Sequence, residues 1–180
     1  SGSADLQLDI TSEGQTGPTP DLGVENGKIS VSVVFSGGGE EPNPADVDYK
    51  LEKSAGDRDL GDPNFTYTLK ASATAAPDAP AETPARVNGL TVRDPIPDGM
   101  EVASVKYGEK TLSSDDYTVT DGVLTYTFPA YDSADPSSEL TSAELTVSTR
   151  LTKEKYQEYL NAESGVDWTF SNTATLYDKD

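Results

Sequence analysis

Three polar residues occupy positions where the alternation of a β-strand calls for an apolar side chain. Side chains on a strand alternate between its two faces, so a one-residue slip would turn each of these groups to solvent. We therefore predict that a lysine, an acid and an amide all point into the protein core. The residues, each with the apolar neighbours that set its parity, are Lys53 after Val47, Tyr49 and Leu51; Asp94 after Leu90 and Val92; and Asn172 among Val166, Trp168, Phe170, Ala174 and Leu176.

An unpaired charge in a protein core is costly, so Lys53 and Asp94 are expected to be paired or used. One hypothesis is a buried Lys53–Asp94 salt bridge in which Asn172 fills the remaining hydrogen bonds. This arrangement needs no reaction.

The other hypothesis is a self-formed amide bond between Lys53 and Asn172. Burial lowers the pKa of a lysine and favours the neutral, nucleophilic amine. Burial also raises the pKa of Asp94, and the protonated acid could polarise the Asn172 carbonyl and carry a proton to the departing ammonia. Holding the two groups at near-attack distance would lower the activation barrier of the reaction by about 7 to 11 kcal/mol.

The elements that must position these groups are almost all strands, with turn signals between them, which predicts a β-sandwich. Asp121-Gly122 is a hairpin signal, and Thr152 is a capping residue for a short helix over 152–161 in which Tyr156, Tyr159 and Leu160 share a face. The strand over 65–73 directs Phe65, Tyr67, Leu69 and Ala71 inward. The predicted strands are 47–54, 65–73, 88–94, 100–107, 116–120, 123–128, 143–151 and 166–177.

The first part of the chain is predicted to be an N-terminal extension over residues 1–45. Leu6, Leu8 and Ile10 could form one short strand, and the alternation from Ile29 to Phe35 predicts a second. Glycines 37–39 with Pro42 and Pro44 predict a linker before the main domain at 46–180. The sequence leaves open whether the strand at Ile29 joins the main sheet.

Composition limits the possible functions. The chain of 180 residues has no histidine and no cysteine, which excludes Ser-His-Asp and Cys-His catalysis, thiolate metal sites and disulfides. Its net charge of -19 would repel a nucleic-acid backbone, so nucleic acid is not an expected partner. No apolar run has transmembrane length. Paired-carboxylate glycosidase chemistry stays open, but no spacing singles out a pair among the 32 acids.

Four segments in order resemble the isopeptide-forming immunoglobulin-like domains of Gram-positive pilins and collagen-type surface adhesins. The resemblance covers residues 47–177 and is carried by Tyr49-Lys50-Leu51-Glu52-Lys53, by Phe65-Thr66-Tyr67-Thr68, by the segment from Leu90 to Met100, and by Ser171-Asn172-Thr173-Ala174-Thr175. Pro95 directly after the acid departs from the commoner family pattern, although proline keeps the preceding residue extended and so lets Asp94 stay in its strand.

The resemblance implies an all-β, immunoglobulin-like sandwich in which Lys53 and Asn172 are joined and Asp94 assists. Lys50 competes with Lys53 for the role of the joined lysine, but its strand parity directs it away from the core. The resemblance also implies an extracellular, cell-surface or cell-wall location, neighbouring domains of the same surface protein as partners, and a structural pilus or stalk function rather than that of a turnover enzyme. We expect no cofactor and no metal. The Ser1-Gly2-Ser3 start is typical of a cloning remnant, so we expect a segment of a longer protein.

The alternative function is a ligand-binding adhesin domain with an unreacted Lys-Asp-Asn cluster. A host extracellular ligand would then contact loops such as 75–84 or 132–138. Calcium binding is a further possibility, since Asp57, Asp59 and Asp62 share one loop and Asp115 and Asp116 share another, although neither loop has the spacing of an EF-hand.

Overall fold

The computed structural model describes the backbone of residues 4–13, 23–24, 28–37, 46–55, 64–161 and 167–178, and the side chains of 46–55, 64–158, 161, 170 and 172–178. This part of the chain contains twelve strands, one α-helix and a 3-10 turn at Pro136–Ser138. The strands are β1 (Ala4–Glu13), β2 (Gly23–Val24), β3 (Lys28–Gly37), β4 (Val47–Ala55), β5 (Phe65–Ala75), β6 (Leu90–Pro95), β7 (Met100–Tyr107), β8 (Lys110–Thr111), β9 (Thr118–Thr120), β10 (Val123–Thr127), β11 (Ser142–Leu151) and β12 (Asp167–Asp178). The helix, α1, is Lys153–Leu160.

The strands form two sheets. One has seven strands in the order β2-β1-β3-β12-β6-β10-β9, and the other has five in the order β4-β5-β11-β7-β8. Most neighbours are antiparallel, but β1 with β2 and β3 with β12 are parallel pairs. The strand β4 is therefore at an edge of its sheet, whereas β12 is in the interior of the other.

Each long strand forms because its apolar residues alternate with polar, β-branched ones. In β5, Phe65, Tyr67, Leu69 and Ala71 are fully buried, while the threonines between them lie on the outer face. The hairpin from β9 to β10 turns at Asp121 and Gly122, whose φ angles of 51° and 77° are those of a two-residue turn that favours Asp-Gly.

The core lies between the two sheets and draws large apolar side chains from both. The fully buried set includes Leu51, Phe65, Leu69, Val105, Leu145 and Val147 from the five-stranded sheet and Val92, Leu124, Ala174 and Leu176 from the seven-stranded sheet. The predicted immunoglobulin-like β-sandwich with one short helix is thus confirmed.

The helix α1 connects β11 of one sheet to β12 of the other. Lys155 N donates to Thr152 Oγ1 at 3.1 Å, so Thr152 caps the helix as predicted. Tyr156 is partly buried against the core. The side chains of Tyr159 and Leu160, which were predicted to share its face, lie outside the described residues. No helix in the described part of the chain is long and apolar enough to cross a membrane.

Several strand boundaries differ from the prediction. β6 begins at Leu90 rather than at 88, because Asn88 binds Pro129 O and Ser138 O through its side chain and Gly89 takes a φ of 76°. β9 begins at Thr118 rather than at 116, since Asp116 closes a turn on Ser113. β1 is longer than the short strand that was expected.

The first part of the chain contributes to the larger sheet. β3 pairs with β12 in parallel over eight residues, from Ser30↔Asp167 to Gly37↔Ala174, and β1 pairs with β3. The strand at Ile29 therefore does join the main sheet. The predicted linker at 38–45 lies outside the described residues, and the domain boundary at 45/46 stays a prediction.

Candidate functional site

Two polar side chains enter the core from the five-stranded sheet. Lys53 lies on β4, where the register pairs it with Leu69 of β5. Tyr67 is two residues before Leu69 and faces the same way, so it lies diagonally across from Lys53. The alternation of β4 buries Leu51 and Lys53 while it leaves Lys50 at the surface.

Two more polar side chains enter from the seven-stranded sheet. Asp94 lies on β6 and Asn172 on β12. The first pair between β6 and β12 is Thr175↔Arg93. Asp94 and Asn172 both lie just outside this first pair, on their own strands, and both point into the core. Leu124 of β10 lies opposite Asp94 on its other side. Each sheet thus supplies two members of one interior cluster.

The cluster of Lys53, Tyr67, Asp94 and Asn172 is shielded from water. The exposed fraction is 1% for Lys53, 2% for Asn172 and 0% for both Asp94 and Tyr67. The structure therefore brings together the three residues singled out from strand parity, and it adds a fourth. Their chemical roles stay predictions.

The lysine amine is in contact with both of its predicted partners. Lys53 Nζ lies 3.1 Å from Asp94 Oδ1 and donates a hydrogen bond to Asn172 Oδ1. Since Oδ1 is bonded directly to Cγ, the amine lies beside the carbon that an isopeptide bond would join. One arrangement thus contains both the buried ion pair and the contact that a crosslinking reaction needs.

Tyr67 completes the cluster. Its hydroxyl donates to Asp94 Oδ2 and accepts from Asn172 Nδ2 at 3.3 Å. Its ring centroid is 4.2 Å from Lys53 Nζ, within the range of a cation–π contact. The tyrosine therefore touches all three of the other residues.

Burial shifts the protonation equilibria of the cluster. Desolvation lowers the pKa of Lys53 to about 8, although the Asp94 carboxylate opposes this shift. Desolvation raises the pKa of Asp94 against the opposing effects of Lys53 and its hydrogen bonds, and it raises the pKa of Tyr67 well above the ordinary value. Both members of the Lys53–Asp94 pair are thus pushed towards their neutral forms. A neutral amine beside an amide carbonyl and a carboxylic acid is suited to acyl transfer.

Lys50, the competing lysine, is remote from this chemistry. Its side chain is 52% exposed and its Nζ lies 2.5 Å from Glu52 Oε1 on the same strand. Parity alone thus distinguishes the two lysines of β4.

Tyr67 was missed as a site residue. Its inward direction was predicted, but tyrosine is a common core residue of β-sandwiches and its hydroxyl gave no separate signal. The available clue was that a buried phenol needs a hydrogen-bond partner and that Tyr67 was predicted to point into the same core as a buried acid and an amide.

The loops considered for ligands are exposed. Residues 75–84 and 132–138 are mostly at the surface, and in the second loop Asp132 and Asp135 accept hydrogen bonds from the loop's own backbone amides. Asp116 accepts from Ser113, while Asp57, Asp59 and Asp62 lie outside the described residues. Within the described ranges no group of three or more acids is placed to hold a metal ion.

The fold and the buried cluster define an immunoglobulin-like sandwich with a lysine–acid–asparagine site between its sheets. No protein-family model matches the chain, and no curated protein matches it. Among solved structures, the full-length major pilin SpaD from Corynebacterium diphtheriae is similar with 22% sequence identity and a TM-score of 0.34. The match covers 57% of this chain and 26% of that pilin, so this chain spans only about a quarter of the pilin's length.

Proposed function

We propose that this chain is a structural module of a cell-surface protein, a pilus or adhesin stalk, whose sheets are joined by a self-formed isopeptide bond between Lys53 and Asn172. The observation that supports it most directly is the contact of Lys53 Nζ with the Asn172 amide while Asp94 Oδ1 lies 3.1 Å from the same nitrogen. All three side chains are at most 2% exposed.

The reaction exchanges one amide for another. The neutral Nζ of Lys53 attacks Cγ of Asn172, forming the new C–N bond, and the Cγ–Nδ2 bond breaks. Nζ loses one proton and Nδ2 gains one, so that ammonia leaves. Asp94, which is protonated at the start, supplies the proton that Nδ2 gains and accepts the proton that Nζ loses, so it ends in the protonation state in which it began.

The fold replaces the catalyst that such a reaction lacks in water. An amine and an unactivated amide do not condense at a useful rate in solution, but two groups held in contact gain an effective molarity equivalent to about 7 to 11 kcal/mol. The surrounding core also excludes water, which strengthens the interaction of Asp94 with the developing charge. The bond forms once per molecule, so the chain is not a turnover enzyme.

A bond at this place suits a protein that bears load. It would join β4, at the edge of one sheet, to β12, in the interior of the other. The joined residues are 119 positions apart, so nearly all of the main domain would lie inside the closed loop. Force applied along the chain could then not extend that segment.

The composition is compatible with a role outside the cell. The chain has no cysteine, so it can form no disulfide, and an isopeptide bond supplies a covalent crosslink from ordinary side chains. We infer that its partners are neighbouring domains of the same surface protein. The cell-surface location rests on the resemblance in residues 47–177.

The two lysines of β4 provide a matched test of this proposal. Lys53→Met should give a folded protein with no ammonia lost, since it removes the nucleophile but fills the same space. Lys50→Met removes the exposed lysine three residues away and should leave the crosslink intact. The intact mass of each denatured variant measures whether ammonia has been lost. The assignment of the nucleophile would be contradicted if Lys53→Met lost ammonia, or if Lys50→Met did not lose it while the wild type did.

A further inference from the structure

The Tyr67 hydroxyl contacts both the acid and the nitrogen that must leave, beside a direct hydrogen bond between the Asn172 and Asp94 side chains. The two oxygens of Asp94 face different partners, with Oδ1 at 3.1 Å from Lys53 Nζ and Oδ2 bonded to the Tyr67 hydroxyl. That hydroxyl is also 3.3 Å from Asn172 Nδ2. The hydrogen bonds thus form a continuous path from the attacking nitrogen to the leaving nitrogen.

The direction of this path must reverse during the reaction. Before attack, the planar amide nitrogen Nδ2 has no available lone pair, so it donates to the tyrosine oxygen, and the tyrosine donates to Asp94. After attack, Nδ2 is a tetrahedral amine with a lone pair, and it must receive a proton before it can leave. A hydroxyl is suited to this change because it donates one proton and accepts at the same oxygen.

We propose that Tyr67 is a catalytic residue which relays the proton from Asp94 to the departing nitrogen of Asn172. In this step the tyrosine hydroxyl turns from Asp94 to Nδ2 and gives Nδ2 its proton, protonated Asp94 replaces that proton from Oδ2, and Nζ gives a proton to Asp94 Oδ1. The Cγ–Nδ2 bond then breaks and ammonia leaves. Asp94 and Tyr67 both end with one proton, as they began, so no outside acid or base is needed.

The packing of Tyr67 holds the relay in place. The side chain is fully buried, and its ring lies over Lys53 Nζ with the centroid 4.2 Å away. The hydroxyl is therefore held by the same ring that contacts the nucleophile. This inference rests on the proposed isopeptide reaction and adds a residue that strand parity did not assign to it.

The test compares Tyr67→Phe with Tyr126→Phe. Both remove one hydroxyl from a core tyrosine, but the Tyr126 ring packs against Tyr107 and Phe128 rather than against the cluster. Each protein is recovered as unreacted, denatured chain from inclusion bodies, refolded by dilution, and followed by intact mass against time. We expect Tyr67→Phe to lose ammonia at least about a hundredfold more slowly than the wild type, the usual size of a general-acid effect. Tyr126→Phe should react at the wild-type rate.

Three outcomes separate this inference from the proposed function. If the wild type never loses ammonia, both fail. If the wild type reacts and folded Tyr67→Phe reacts equally fast, the relay is wrong and the proton passes directly from Asp94 to Nδ2, while the crosslink stands. If circular dichroism shows that Tyr67→Phe does not fold, a protein with 3-fluorotyrosine at position 67 replaces it in the test. This residue keeps the hydroxyl but changes its acidity, so a rate of ammonia loss equal to that of the wild type would overturn the relay.

Discussion

At the scale of single residues, burial of a lysine and an acid in the core disfavours the charged form of each. The pKa of Lys53 falls to about 8 and that of Asp94 rises, in each case mainly through desolvation. The number of protons that the two groups hold together matters more than either pKa, because the reactive state needs a neutral amine and a protonated acid at the same time. That state holds one proton on the pair, as the ion pair does.

The rate of crosslinking should therefore depend on pH in a bell shape. Below the raised pKa of Asp94 both groups are protonated and the amine is not nucleophilic. Above about pH 8, Lys53 loses its proton while Asp94 is ionised, and the acid is lost. Refolding the denatured chain into a series of buffers, with intact mass as the readout, measures this profile.

Asp94→Ala provides the control for the pH profile. Without the acid, crosslinking should be at least about a hundredfold slower, and any residual rate should rise with pH to a plateau. Asp98→Ala, which removes an exposed acid nearby, should keep the wild-type profile. A wild-type rate that climbs through pH 8 and levels off would show that the free amine alone suffices and that Asp94 does not act as an acid.

At the scale of strands, parity made the site visible in the sequence. Lys53, Asp94 and Asn172 each follow apolar residues at a spacing of two, so alternation alone placed all three inside. The pairing of strands was less accessible, because β3 and β12 meet in parallel from distant parts of the chain and no periodicity specifies a partner. The two-residue strands β2 and β8 are too short to show any alternation.

A bond between β4 and β12 should contribute strongly to stability. Chain-entropy estimates for closing a loop between residues 119 apart give about 4 to 5 kcal/mol. Asn172→Ala removes the bond and should lower the free energy of unfolding by about that amount, with about 1 to 3 kcal/mol more for the buried groups left without partners. Denaturant unfolding followed by circular dichroism measures this loss.

Thr149→Ala is the matched control for Asn172→Ala. Thr149 is equally buried and donates to Phe65 O at 3.0 Å, but it takes no part in the cluster. Its removal should cost about 1 to 3 kcal/mol and leave the crosslink in place. A loss in Asn172→Ala no larger than that in Thr149→Ala would show that no covalent bond constrains the unfolded chain.

At the scale of the whole molecule, the two sheets pack around a core that contains a polar cluster with members from both sheets. Composition predicted an acidic protein, and the alternation of apolar and polar residues predicted a β protein and most of its strands, because alternation depends on local sequence. The contribution of Tyr67 depends on how the sheets face each other. A tertiary arrangement of this kind has no signature in a single strand.

The central claim is that Lys53 and Asn172 become covalently joined, and the intact mass of the denatured wild-type protein tests it most directly. At sub-dalton accuracy the mass should fall below that calculated from the sequence by one ammonia. Digestion should then release a branched peptide that contains both Lys53 and Asn172. A mass equal to the calculated one would contradict the account and leave a sandwich with a buried, unreacted Lys53–Asp94 ion pair.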